Sequence, residues 1–217
     1  MRPLRTALLI VCQLIPSLAL SACGTTSGLD VRYADASARL AMLASVPPRR
    51  VLVAPVADQR ADTARIGVKP TRRENVITAR PVTEILREAL IIELAKNGHA
   101  VVGDRPDVVL APQVDEFWLD AVDGYTKTQY VGRVAIALTL SDARTGAALV
   151  TRRYVGIRRG EGEPKSEDTW RDVMNVALLR AMHDVATDPE LISALGRTAT
   201  TDRVELSPYE NVDGIPR

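Results

Sequence analysis

Few residues in this 217-residue chain have the type and spacing to do chemistry, and the densest polar set follows an apolar run. "VLVAPV", residues 51–56, leads into "ADQRAD", so Asp58, Gln59, Arg60, Asp62 and Arg65 crowd one polar stretch after a predicted buried strand. Carboxylates and guanidinium groups on a loop that a scaffold holds can bind a partner or an anionic ligand. The same residues can instead close a strand-end turn, with Asp58 accepting from nearby amides and Arg60 pairing with an acid.

Other constellations fall short of a catalytic pattern. His99 and His183 are the two histidines, and neither has a second histidine or a cysteine at ligand spacing, whereas zinc sites take three or four ligands. No Gly-x-Ser-x-Gly elbow occurs, and a nucleophilic serine needs a base beside it. Gly160 and Gly162 of "RGEGEP" lack the spacing and the Lys-Ser/Thr of a phosphate loop, and Glu161 and Glu163 would repel phosphate. Asp115 and Glu116 are neighbours in a predicted strand, where alternation sends them to opposite faces rather than into a glycosidase pair. On the last predicted strand, Arg153 falls on one face and Arg152 and Arg158 on the other, able to meet lipid headgroups or to pair with acids across the sheet. Trp118 and Trp170 fit an interface anchor or core packing.

The one strong chemical signal is Cys23. Residues 1–5 carry two arginines, and 6–20 form an apolar run of about fifteen residues, the layout of a secretory signal peptide and short of the ~20 of a membrane span. Leu20-Ser21-Ala22-Cys23 is the bacterial lipobox pattern, so residues 1–22 are expected to be cleaved and Cys23 to carry a diacylglycerol group and an N-acyl chain. Several acyl chains anchor stably where one is marginal. Cys12 lies in the cleaved segment, which leaves a single, lipid-capped thiol. Gly24, rather than aspartate, resembles the residue that sends enterobacterial lipoproteins to the outer membrane.

After cleavage, 26 basic residues face 27 acidic ones, so no basic excess points to nucleic acid. Residues 23–50 are expected to be a lipidated tether, 51–197 a periplasmic domain, and 198–217 a mobile tail. Within the domain, Val82, Ile85, Leu86, Ala89, Leu90 and Leu94 predict a helix from Pro81 to a stop at Gly98. Strands are predicted over 99–103, over 108–119 with a bend at Pro112, and over 133–141. "DARTG" then turns the chain into a partner strand over 148–158. Ser166 can cap a second helix with Trp170, Val173, Met174, Ala177, Leu178 and Ala181 on one stripe. The order β-α-β-β-β-β-α predicts an α+β fold: a largely antiparallel sheet of about four to five strands with two main helices on one face.

The lipobox, "ADQRAD", the "VTEILREALIIELAKNGHAVV" helix-to-strand segment and "DVVLAPQVDEF" together resemble the YajG family of bacterial lipoproteins over roughly residues 51–185. The resemblance implies an outer-membrane lipoprotein facing the periplasm and transfers no catalytic residue. The expected function is non-enzymatic: a binding or accessory module for an envelope protein partner, with Asp58, Gln59, Arg60, Asp62 and Arg65 as the partner-binding set. No cofactor is expected beyond the lipid on Cys23, and a homodimer is open. The alternative is an auxiliary lipoprotein of a transport system that binds an apolar ligand, which requires a pocket of roughly 300 Å³ or more between helices and sheet.

Overall fold

The computed structural model describes residues 28–34, 41–68, 75–124, 126–163 and 166–197. Among them lie eight strands: β1 (Arg50–Val53), β2 (Ala57–Asp58), β3 (Gly67–Val68), β4 (Asn75–Val76), β5 (Ala100–Val101), β6 (Val108–Asp123), β7 (Thr128–Asp142) and β8 (Ala148–Gly162). Helix α1 (Val82–Lys96) falls between β4 and β5, and α2 (Glu167–Thr187) and α3 (Pro189–Arg197) follow β8. The fold is α+β, with a mixed and mostly antiparallel sheet. The strand count exceeds the expected four to five because β2, β3 and β4 are two residues each, too short to leave a periodicity, whereas β5 falls within the predicted 99–103 strand.

β6 is the spine. β1, β2 and β3 run parallel along one of its edges, at Val108–Leu110, Gln113–Val114 and Leu119, while β7 pairs antiparallel along the other and β8 follows. "DARTG" makes the predicted turn, in which Asp142 Oδ1 accepts from the amides of Arg144 and Thr145 and Gly146 takes φ +71°. The register of β6 shifts at Asp115, not at Pro112, which stays paired with Leu138.

The alternation of β7 decides the layering. Val134, Ile136, Leu138 and Leu140 are buried beneath the helices, each worth about 1.5–3 kcal/mol of burial. Both predicted helices form: α1 ends at Gly98, at φ +87°, and Ser166 caps α2 by accepting from the Thr169 amide. α1 packs on β1, β5 and β6, α2 packs on β7 and β8, and the two touch each other on the same face.

Gly160 and Gly162, which fail a phosphate loop, serve α2 instead, together with Gly156. A Cβ on Gly156 would stand 1.9 Å from the Ala177 carbonyl oxygen, one on Gly160 2.8 Å from Val173, and one on Gly162 2.6 Å from the Thr169 hydroxyl. With Gly132 they form a side-chain-free track for the helix. Trp170 is core, packed edge-to-face on Tyr130 with 5.9 Å between ring centres.

The tether expectation for residues 23–50 needs correction in its described parts. Leu29, Val31, Leu43 and Val46 belong to the hydrophobic core, and Arg49 is buried. Polar staples hold this strap. The Tyr33 hydroxyl donates to the buried Glu93 carboxylate, the Ala41 amide to Asn97, and the Arg49 guanidinium to the carbonyls of Leu195 and Gly196 at the end of α3. The mixed composition of 24–50 concealed this: Leu29 and Val31 stand among Gly, Ser, Thr and charged residues, and Leu43 falls in a short run that Pro47 and Pro48 close. No helix among the described residues is long and apolar enough to cross a membrane.

Candidate functional site

The sheet face opposite the helices carries the polar chemistry. Its register sets side chains in rows across β6, β7 and β8: Trp118–Arg133–Ile157 in one and Glu116–Ala135–Val155 in the next. The irregularity at Asp115 alters the sequence expectation. A bulge inserts one residue into the pleat, so Asp115 and Glu116 both line the same cleft instead of pointing apart.

That cleft, about 550 Å³, is walled on one side by the chain after β2, through Arg60, Asp62 and Arg65, and floored by β6 and its neighbours, through Trp118, Arg133 and Arg153. The Arg65 guanidinium lies 5.9 Å from the centre of the Trp118 ring, a cation–π contact, and its Nε donates to Asp62 at 2.6 Å. Trp118 Nε1 donates to Asp120 at 2.7 Å, and Arg133 donates to the other oxygen of the same carboxylate. Arg153 donates to Asp115 at 3.0 Å, and Gln113 holds that carboxylate's second oxygen at 2.7 Å. Arginine and carboxylate thus alternate around one indole.

The predicted residues divide. Arg60, Asp62 and Arg65 meet in this cleft. Asp58 faces a second groove, of about 380 Å³, between the 58–66 stretch and the start of α1, and Arg60 and Arg65 line both. Gln59 is exposed, lines neither, and is fixed by its amide donating to the Val114 carbonyl. Asp58 and Arg60 form the turn anticipated as the alternative reading: two parallel bonds of 2.9 and 2.8 Å, with the Arg60 amide also donating to Asp58. The Arg60 side chain is 6% exposed, so its charge shapes the wall rather than greeting a ligand. Its guanidinium holds the Asp58 carboxyl below the usual range, and Arg65 does the same for Asp62. Cys23 lies outside the described residues.

Trp118, Arg133, Arg153, Asp115 and Glu116 complete the site but were not joined to the 58–65 set by sequence reasoning. The signal is the strand period: over 133–141 alternation sets Arg133 opposite the face of Val134, Ile136, Leu138 and Leu140, and Arg153 alternates with Arg152 in the same way. The partner strand and the bulge were needed to add Trp118 and Asp115.

Elsewhere, polar groups serve structure. Both ring nitrogens of buried His99 are engaged: Nδ1 accepts from the Arg49 amide at 3.2 Å, and Nε2 lies 3.2 Å from the Leu43 carbonyl oxygen. Asp188 accepts from Tyr154 and Arg152 and caps α3 through the Glu190 amide. Burial presses its carboxyl upward, but these donors outweigh burial and hold it below the usual value.

No protein-family model matches the sequence, and no curated protein does. Solved structures do. The XCC0632 protein of Xanthomonas campestris, described with family model DUF330, shares the fold at a TM-score of 0.53, with 16% identity over 77% of this chain and 95% of that one. A minor lipoprotein of Acinetobacter baumannii is 15% identical over 63% of this chain and 90% of that one, at a TM-score of 0.37. Lipoprotein GNA1162 of Neisseria meningitidis is 17% identical over 52% and 85%, at 0.28. The first shows a common fold and no more, and the other two likenesses are too loose to argue from.

Proposed function

We propose that the chain is an outer-membrane-anchored periplasmic lipoprotein of the YajG-like kind that binds an envelope protein partner through the open face of β6, β7 and β8, without catalysis. The observation that carries this reading is the cleft around Trp118. Its floor continues, in the same cross-strand rows, into Val155 and Ile157, which are 38% and 41% exposed. Arginine and tryptophan beside exposed aliphatic side chains have the make-up of a protein-binding hot spot. Each cleft arginine already holds a carboxylate, so the face offers a preformed polar lattice.

Among the described residues, the space between the helices and the sheet lends the apolar-ligand alternative no room. Between α1, α3 and the sheet, the space lined by Leu43, Val51, Leu90, Leu110 and Leu195 amounts to about 10 Å³, room for a single water rather than an acyl chain.

In-cell crosslinking tests the proposal, with proteins and lipids collected from the same sample and wild type compared with Cys23→Ala. A discrete envelope protein recovered from the anchored form supports it. Enrichment of phospholipid without a stoichiometric protein overturns it in favour of lipid handling.

A further inference from the structure

The packed strap places the domain relative to its anchor. Gly28 is pressed onto the 78–79 backbone so closely that a Cβ there would lie 2.5 Å from the Ala79 nitrogen and the Thr78 carbonyl. Leu29 bridges to Thr78, its amide donating to the Ile77 carbonyl at 2.7 Å and its carbonyl accepting from the Ala79 amide at 3.0 Å. The Arg32 amide then fastens to Asn175 of α2 at 2.9 Å. The chain is therefore fixed at Gly28 and Leu29 and again at Arg32. Cys23 is five residue steps away, which reach at most about 18 Å when fully extended, against roughly 30 Å on average for the flexible 27-residue tether expected from sequence.

From this, and resting on the lipid-anchor reading of Cys23, we propose that the end of the domain where the strap meets Ile77–Ala79, with the adjoining groove between the 58–66 stretch and the start of α1, sits against the phospholipid headgroups of the leaflet that holds the Cys23 acyl chains. The groove shares Thr78 and Ala79 with the contact that pins Gly28 and Leu29, so a leash of about 18 Å keeps it at the headgroup layer. The opposite end of the sheet, at the Asp142–Gly146 turn, lies roughly 20 to 36 Å from the groove along β6, counted to Val108 from Val114, level with Asp58, and from Leu119, level with Gly67, at ~3.3 Å per residue.

Charge at the exit point suits that neighbour. Arg32, Arg80 and Arg171 gather around Asp30: the Arg32 guanidinium bonded to it, with the charges of Arg80 and Arg171, holds its carboxyl below the usual range. Their side chains are 71%, 38% and 42% exposed and paired with Asp30, Glu88 and Asp168. Exposed pairs of this kind contribute about 0–1 kcal/mol. A guanidinium can therefore exchange its carboxylate for a lipid phosphate at little cost, and the bidentate geometry fits either.

The test uses the mature lipidated protein in vesicles of phosphatidylethanolamine and phosphatidylglycerol bearing a headgroup-linked nitroxide quencher. Because the only thiol of the mature chain is expected to be acylated, Ala64→Cys at the groove and Arg144→Cys at the far turn each accept one dye; both positions are exposed. Flotation of the same samples reports anchoring. The expected result is that both variants float and the dye at position 64 is quenched several-fold more than the dye at position 144. A flexible Gly/Ser insertion between residues 24 and 28 should abolish that difference. Floating protein with equal quenching, or with position 144 the more quenched, overturns the orientation and leaves the anchor standing. Protein that fails to float overturns the anchor and the orientation with it.

Discussion

The carbonyl oxygen of Ala177 lies 1.9 Å from where a Cβ on Gly156 would stand, and the Ala181 nitrogen lies 2.7 Å from it. Both are backbone atoms, so Gly156→Ala can be accommodated only by lifting α2 off β8. The expected loss is about 3 kcal/mol, the upper range for overpacking, measured by urea denaturation. Gly146→Ala makes the contrast: nothing lies within 4 Å and only the φ of +71° opposes it, so about 1 kcal/mol is expected.

The strap should be separable from the core by removing one oxygen. Tyr33→Phe removes one donor from the buried Glu93 carboxylate, which keeps Lys96 and Asn97, at a cost of about 0.5–1.5 kcal/mol. Amide hydrogen exchange should locate that loss, with protection falling at Leu29 and Val31 more than in β7.

His99 gives the fold a pH dependence of definite sign. Burial lowers its pKa, the bond to the Leu43 carbonyl opposes this, and the Arg49 charge adds to the lowering. The unfolded chain takes up its proton near pH 6.5, whereas the folded chain resists. The stabilisation is thus complete above about pH 6.5 and is lost as pH falls from there toward the folded value. The carboxyls held low, at Asp30, Asp58, Asp62, Asp142 and Asp188, begin below 3.8 and do not titrate in this window. Urea midpoints should fall between about pH 7 and 5 in wild type and stay flatter in His99→Gln.

The cleft arginines should differ in kind. Arg60 is 6% exposed against Asp58, so Arg60→Ala strands a carboxylate in a partly buried site and should cost about 2–4 kcal/mol. Arg153 is 56% exposed, and Arg153→Ala should cost less than about 1 kcal/mol. Thermal melts of the two variants decide this. Arg153 is then the residue whose loss reports on binding rather than on folding.

How far the sequence reached follows from the range of each signal. Periodicity over nine or more residues placed α1, α2 and the β7–β8 hairpin, because each buries one face repeatedly. β2 to β4 and the strap are fixed by contacts to distant residues, in the strap Leu29 with Thr78 and Tyr33 with Glu93, which no local pattern records. The site was half legible for the same reason. Arg60, Asp62 and Arg65 stand together in the chain, but Trp118, Arg133 and Arg153 join them only through the pairing of β6, β7 and β8. The bulge at Asp115 turned one alternation argument around.

The most direct test of the open face as a partner-binding surface is site-specific photocrosslinking in living cells, with the photoreactive residue at Ile157, in the same row as Trp118 and Arg133, or at Arg144 on the far turn. Capture of one discrete envelope protein from position 157, absent from position 144 and lost with Trp118→Ala, is the predicted result. Equal capture from both positions, or capture from position 157 that survives Trp118→Ala, would contradict it.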